Sequence, residues 1–255
     1  MGQQNHLYVW DDRFLYTTPA IASGLTQRHT VTLLVSLGDA GFDLGDEAGN
    51  QQGYQAALIG HHIARTLDAT RAPLLSMNFD PQSYEFHALN ALLGRHGVRA
   101  VILDTEWIKR APIHELMRGE LDDASLFRFT TELPRAISGY RPIRVPMDMR
   151  VMHIAQKIKQ ELPLTSTVAE LAAQVGISSH RLTHVFSDRL GISIKSYVLW
   201  ARMRRAVELI AQGLPLAMVA HDVGFSDSAH LTRTLKHFFG LTPSMVARGM
   251  KVHML

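Results

Sequence analysis

The chain has 255 residues, 46% hydrophobic and 19% charged, enough for two cores in an ordinary globular balance; it has no cysteine, which excludes disulfides and thiolate metal sites and suits a reducing compartment. No apolar run is long enough to cross a bilayer, and the first residues lack a basic-then-apolar leader pattern, so no membrane partner is expected. The net charge of +3 is unevenly shared: residues 1–146 hold 13 basic and 16 acidic side chains and residues 147–255 hold 13 and 7, which directs the back half toward a polyanion.

In chain order, residues 7–79 read as short strands between turns. Residues 30–37 are β-branched and apolar and stop at Gly38-Asp39, residues 42–44 run into the turn from Gly45 to Gly49-Asn50, and residues 56–59 and 73–79 are further apolar runs. Strands at this spacing predict a small barrel or sandwich. From Asp80-Pro81 the pattern turns helical, with Asp80 as the expected cap and Pro81 at the first helical position. Residues 112–118 and 122–136 read as two further helices. Gly139, Pro142 and Pro146 punctuate a join near residues 140–148. Asp148 then caps a helix with Val151, Ile154, Ala155 and Ile158 on one face, ended by Pro163. The expected fold class is α+β in two domains. Residues 1–145 hold strands over 7–79 and helices over 80–138, and residues 146–255 are all helical.

The back half matches itself at an offset of 48 residues, 168 against 216. Val168, Leu171, Ala172, Val175, Gly176 and Ser178 recur as Leu216, Val219, Ala220, Val223, Gly224 and Ser226. After one extra residue in the second copy, Leu182-Thr183 recurs as Leu231-Thr232, and Leu190-Gly191-Ile192-Ser193 as Phe239-Gly240-Leu241-Thr242. Each copy spells two short helices at a sharp angle, over 167–190 and 215–239. Gly176 and Gly224 permit a left-handed turn, small Ala172 allows close approach, and Ser178 and Ser226 are the expected caps of the second helices. Leu182, Val185 and Phe186, and in the second copy Leu231, Leu235 and Phe238, point inward.

That packing leaves His180, Arg181, Thr183 and His184 facing outward in one copy, and Ser228, Ala229, His230 and Arg233 in the other. Their donors and acceptors suit base edges in a major groove, with Ala229 offering only a methyl contact to thymine. Ser178, Ser179, Ser187, Lys195, Arg202, Arg204, Arg205, Asp227, Thr234 and Lys236 flank these positions as candidate phosphate contacts. Such a stripe on a single helix fits solvated surface equally well; its recurrence in two matched units points to DNA. Ser193 caps a connecting helix running to Ala211. Roughly twenty residues at ~1.5 Å rise span about 30 Å, close to the ~34 Å between successive major grooves.

Residues 150–248 resemble the DNA-binding domain of the AraC/XylS family of transcription regulators. The resemblance is carried by Leu171-Ala172, Val175-Gly176-Ile177-Ser178, Leu182, Phe186, Leu190-Gly191, Tyr197, Arg202 and Arg205-Ala206. It continues through Val219-Ala220, Val223-Gly224-Phe225, Leu231-Thr232-Arg233, Phe238, Gly240 and Thr242-Pro243. It implies seven helices, a linker helix between two units, and asymmetric or directly repeated sites. His180, Thr183 and His184, and Ser228, Ala229 and Arg233, match the family's base-facing positions. Ile194 stands where the family commonly has proline, and His237 and Met245 also depart from it.

Residues 7–79 are similar, more loosely, to the cupin-like sensory barrels of many family members, chiefly through Ala56-Ala57-Leu58-Ile59, His61-His62 and Leu67-Asp68-Ala69. The likeness implies a domain that binds a small effector or dimerises, with His29 and His61 as candidate effector contacts and residues 122–136 as a segment able to pair with its own copy. Cupin enzymes hold a metal through a His-x-His pair and further ligands. His61 and His62, as neighbours on a strand, would point to opposite faces, so no metal and no cofactor are expected. Nor is catalysis, since no nucleophile–base arrangement or phosphate-binding glycine motif is present. The expected protein is thus a bacterial cytoplasmic regulator, activator or repressor, located on the nucleoid when bound. Its expected partners are double-stranded DNA, RNA polymerase, a small effector and a second copy. The alternatives are a cupin-type metalloenzyme with an accessory DNA-binding module and a non-specific architectural DNA binder.

Overall fold

The computed structural model describes residues 4–10, 12–81, 83–103, 111–138, 148–163 and 165–255. The chain divides into two units, Met1–Arg144 with Lys236–Leu255, and Val145–Leu235. Of the expected join at 140–148, all but Asp148 lies outside the described residues.

The first unit is built on eleven strands among the described residues: β1 (Asn5–Val9), β2 (Arg13–Thr18), β3 (Ile21–Gln27), β4 (Val31–Ser36), β5 (Phe42–Gly45), β6 (Gln51–Tyr54), β7 (Ala56–Ile59), β8 (Ala64–Ala69), β9 (Leu74–Phe79), β10 (Val98–Ala100) and β11 (Met250–Met254). They form two sheets, one in the order β10-β7-β4-β9-β2-β1-β11 and the other β3-β8-β5-β6. Strand alternation sorts the large sheet's side chains to two faces. Leu15, Leu33, Val35, Leu75 and Met77 lie under three helices, α1 (Tyr84–Leu93), α2 (Ile113–Arg118) and α3 (Asp123–Ser138), which contribute Phe86, Leu89, Leu116, Phe129 and Leu133. Leu34, Ala57, Ile59 and Leu74 point the other way and meet Phe42, Leu44, Leu67 and Ala69 of the small sheet. The layers are therefore helices, seven-stranded sheet and four-stranded sheet.

Two expectations are corrected here. Helix α1 is capped by Ser83, not Asp80: the Ser83 hydroxyl accepts from the Phe86 N–H at 3.1 Å. Asp80 instead opens the preceding turn, its carbonyl accepting from both the N–H and the hydroxyl of Ser83. Residues 146–255 are also not a wholly helical domain. β11 runs parallel to β1, pairing Asn5 with Met250 and Val9 with Met254. The reason is visible after Gly249, where Met250, Val252 and Met254 alternate with Lys251 and His253. A period-two segment suits the open edge of β1, whose N–H and C=O groups would otherwise lack partners.

From Asp148 onward come α4 (Met149–Gln160), α5 (Val168–Gln174), α6 (Ser179–Leu190), α7 (Ile194–Ala211), α8 (Leu216–Asp222), α9 (Ser228–Phe239) and α10 (Pro243–Arg248). The last residues of α9, and α10, fall in the first unit. In the second unit Val151, Ile154, Ala155 and Ile158 of α4 are buried as its spacing requires, and α4 packs on α7. α7 contributes Tyr197, Trp200, Ala201 and Met203 to the interior. No helix among the described residues is long and apolar enough to cross a membrane.

Candidate nucleic-acid interface

The two repeated units fold by the same local rules. α5 opens with a capping box in which the Thr167 hydroxyl accepts from the Glu170 N–H and Glu170 accepts from the Thr167 N–H. Two orphan backbone donors are thereby met. Gly176 then turns the chain at φ 68°, a conformation a Cβ would strain, and Ser178 caps α6 by accepting from the Arg181 N–H at 3.2 Å. Leu171, Ala172, Leu182, Val185 and Phe186 close the angle between α5 and α6.

The second copy turns at Gly224, φ 79°, but its cap differs from expectation. α9 begins at Ser228, and it is the Asp227 carboxylate that accepts from the His230 N–H, at 2.7 Å. Ser226 lies one residue too early and donates its hydroxyl to Asp227. The extra residue of the second copy therefore sits in the turn, ahead of the cap. Backbone and hydroxyl donors hold the Asp227 carboxyl below the usual carboxylate range. An anion committed to a cap cannot serve as a phosphate contact, so Asp227 is withdrawn from that set.

On α6, His180, Arg181, Thr183 and His184 are all exposed, with Ser178 and Ser179 beside them and Ser187 half-buried. The Nε2 atoms of His180 and His184 lie 3.1 Å apart, and the Thr183 hydroxyl donates to the Ser179 carbonyl, leaving its lone pairs outward. On α9, Ala229, His230 and Arg233 are exposed and Ser228 and Thr234 half-buried. His230 is partly held back: its ring stands 5.0 Å from Phe225 and its Nδ1 is 3.4 Å from the Ser226 hydroxyl. Arg181 and Arg233 make no ion pair among the described residues. Lys195 and Lys236 are exposed.

α7 separates the two units. It is capped by Ser193, which accepts from the Ser196 N–H, and buries Ile194 at its first position. Its 18 residues span about 27 Å at ~1.5 Å per residue. Its arginines have separate roles. Arg202 Nη1 donates to the Gly224 carbonyl at 3.2 Å and so fastens the linker to the second turn, whereas Arg205 pairs with Glu208 at 2.6 Å. Arg204 is half-buried. Arg202 is accordingly a positioning residue rather than a free phosphate contact.

Residues 171–249 match the family model described as a helix-turn-helix domain. Over 106 residues the chain is 35% identical to the arabinose operon regulatory protein of Escherichia coli, covering 41% of this chain and 36% of that protein. Over 153 residues it is 31% identical to the transcriptional regulator RipA of Corynebacterium diphtheriae, covering 59% of this chain and 44% of that one. These residues form an AraC-type helix-turn-helix domain. The chain matches less than half the length of each of these two curated relatives. Beyond the AraC-type domain, the fold of the whole chain is similar to that of apo ToxT from Vibrio cholerae, with a TM-score of 0.61 at 11% identity, over 94% of this chain and 98% of that one. A second ToxT structure, with an unsaturated fatty acid bound, has a TM-score of 0.58 at 12% identity and covers 98% of each chain.

The first unit's expected effector histidines are engaged elsewhere. His29 Nδ1 lies 3.4 Å from His62 Nε2 and its ring 4.8 Å from that of Phe238, while His61 Nδ1 lies 3.2 Å from Asn90 Oδ1. His61 and His62 stand in a turn, with φ 61° at His62, so the strand argument against their convergence does not apply. Even so, no group of three potential metal ligands occurs among the described residues. Neither His29 nor His61 lines the cavity of about 670 Å³ on the helix-covered face of the large sheet. That cavity has walls of Val35, Leu37, Leu75, Phe129 and Leu133, with Ser36, Asp39, Gln55 and His114 as its polar groups. Sequence reasoning missed it, because its walls come from β4, β9, α2 and α3 and no local motif joins them.

Proposed function

We propose that this protein is a sequence-specific DNA-binding transcription regulator without catalytic activity, in which α6 and α9 enter two successive major grooves of one DNA face. The carrying observation is the duplicated unit. Each second helix is capped at its N-terminus and presents an open polar face, and the 18-residue α7 stands between the two. His180, Arg181, Thr183 and His184 are the readers on α6, and Ala229 and Arg233 on α9, with Ser228 and His230 at its rim. Ser178, Ser179, Ser187, Lys195, Arg204, Thr234 and Lys236 are the phosphate contacts, joined by Arg205, which exchanges its exposed pair with Glu208 for phosphate. Helix length supports this reading, since about 27 Å of linker approaches the ~34 Å repeat of the groove.

The first unit supplies the regulatory input, through a small effector or through a second copy. Its cavity, mostly apolar with a few polar groups, has the composition and volume of a small-molecule site. ToxT, which shares the fold, has been solved with an unsaturated fatty acid bound. Selecting bound DNA from a random pool with the full chain tests the reading. The expected product is one asymmetric site with two conserved blocks about one helical turn apart. A pool without enrichment would mark an architectural binder instead.

A further inference from the structure

Between the two sheets of the first unit the interior has an apolar end and a polar end. Leu34, Phe42, Leu44, Ile59, Leu67 and Leu74 fill the apolar end, none more than 8% exposed. At the polar end Arg65, 4% exposed, reaches from β8 to the Thr32 hydroxyl of β4 at 3.3 Å. Arg28 donates to Asn78 Oδ1 at 2.6 Å and to the Phe239 carbonyl at 2.9 Å. Every acceptor these two guanidiniums find is neutral, and no carboxylate among the described residues pairs with either.

Arg13 shows what this unit ordinarily does with a buried arginine. At 7% exposure it is held by two carboxylates, Asp12 at 2.8 Å and Glu85 at 3.1 Å. Guanidinium does not give up its proton in proteins, and burying the ion without a counter-charge is strongly unfavourable. Burial pushes the pKa of Arg28 down to about 10, still a cation at neutral pH, and burial together with the charge of Arg28 pushes that of Arg65 down. Arg28 Nε, a buried donor, also lacks a hydrogen-bond partner, and the hydroxyl of Tyr16, a residue only 6% exposed, stands beside Arg28 with the Thr18 side chain as its one other neighbouring polar group among the described residues.

We infer that Arg28, Arg65 and Tyr16 form a binding site for a compact oxyanion, a carboxylate or phosphate group, inside the sandwich. The closed packing of the apolar end leaves no course for a long acyl chain, so the ligand is small. The site belongs to the first unit and requires no DNA.

Thermal unfolding of the full chain in chloride buffer, titrated with inorganic phosphate, acetate or decanoate at constant ionic strength, tests this. Phosphate, acetate or both should raise the midpoint by roughly 5 °C or more at a hundredfold excess over Kd. Decanoate, at concentrations below micelle formation, should not exceed acetate. Arg65→Met should abolish the response while keeping, or raising, the midpoint without anion, because it removes a charge that lacks a partner. Tyr16→Phe, which keeps the ring, should weaken the response. General exclusion of phosphate from protein surface would act equally on the parent and Arg65→Met. An equal response in those two proteins, no response to either small anion, or a response to decanoate alone would overturn the inference.

Discussion

Acidification probes the first unit through His29. Burial foremost, then the neighbouring His62, His237 and His61, push its pKa from 6.5 down to about 4. Because the folded value is the lower one, the neutral ring is what the fold holds. Its contribution is complete above about pH 6.5, declines as the pH falls and is gone once the pH passes below about 4. At pH 5 the unfolded chain has taken up nearly a full proton that the folded chain refuses. At about 1.36 kcal/mol per pKa unit, the stability lost between pH 8 and pH 5 is about 2 kcal/mol. His62, also lowered by burial and by His61, acts in the same direction. The assay is urea unfolding of the full chain at pH 8, 7, 6 and 5 at constant ionic strength, for the parent and for His29→Gln, which cannot titrate. The variant should decline less than the parent by about 2 kcal/mol across that range. Parallel pH profiles for the two proteins would refute the reasoning.

Three further outcomes follow from the repeated units. Asp227→Ala should cost about 1 kcal/mol of stability in thermal melts followed by helical circular dichroism, and Ser226→Ala much less, since only Asp227 caps α9. In titrations of the selected site, Arg233→Ala should lose about 1–3 kcal/mol of discrimination at one base pair, whereas Arg205→Ala should weaken all sequences alike and reduce the salt slope by about one. Ala172, 1% exposed between α5 and α6, leaves no room for a larger side chain, so Ala172→Leu should destabilise by about 1–3 kcal/mol in urea unfolding.

The repeated units were legible because their punctuation is local. Gly176 and Gly224 occupy the positive-φ turns that the 48-residue match predicted, and Ser178 caps as its position implied. The second cap was misplaced because identity alone cannot locate an inserted residue. Ser226 aligns with Ser178, yet the insertion falls in the turn and hands the cap to Asp227. The strands of the first unit were legible where apolar runs are continuous, as in β4, β7 and β9. β11 passed unseen because five residues with two polar ones are a weak signal until β1 offers an edge. The oxyanion site was equally hidden. An arginine in a strand reads as solvated, and the missing counter-charge becomes evident only when Arg28, Arg65 and Tyr16 are seen facing the same interior.

The parallel pairing of Asn5 with Met250 also fixes an order of events during synthesis. At about 5–20 residues per second, a ribosome delivers β11 roughly 12 to 50 seconds after β1. Throughout that interval the outer edge of β1 presents its N–H and C=O groups to whatever other chain is near. Most of the sheet's partners are in place once β10 has emerged, but its last edge waits for the whole helix-turn-helix domain to be made. Pairing of β1 with β11 is therefore the last of the first unit's strand pairings to form. On a crowded polysome, the bare edge of β1 is where neighbouring nascent copies of this chain are most exposed to pairing with one another.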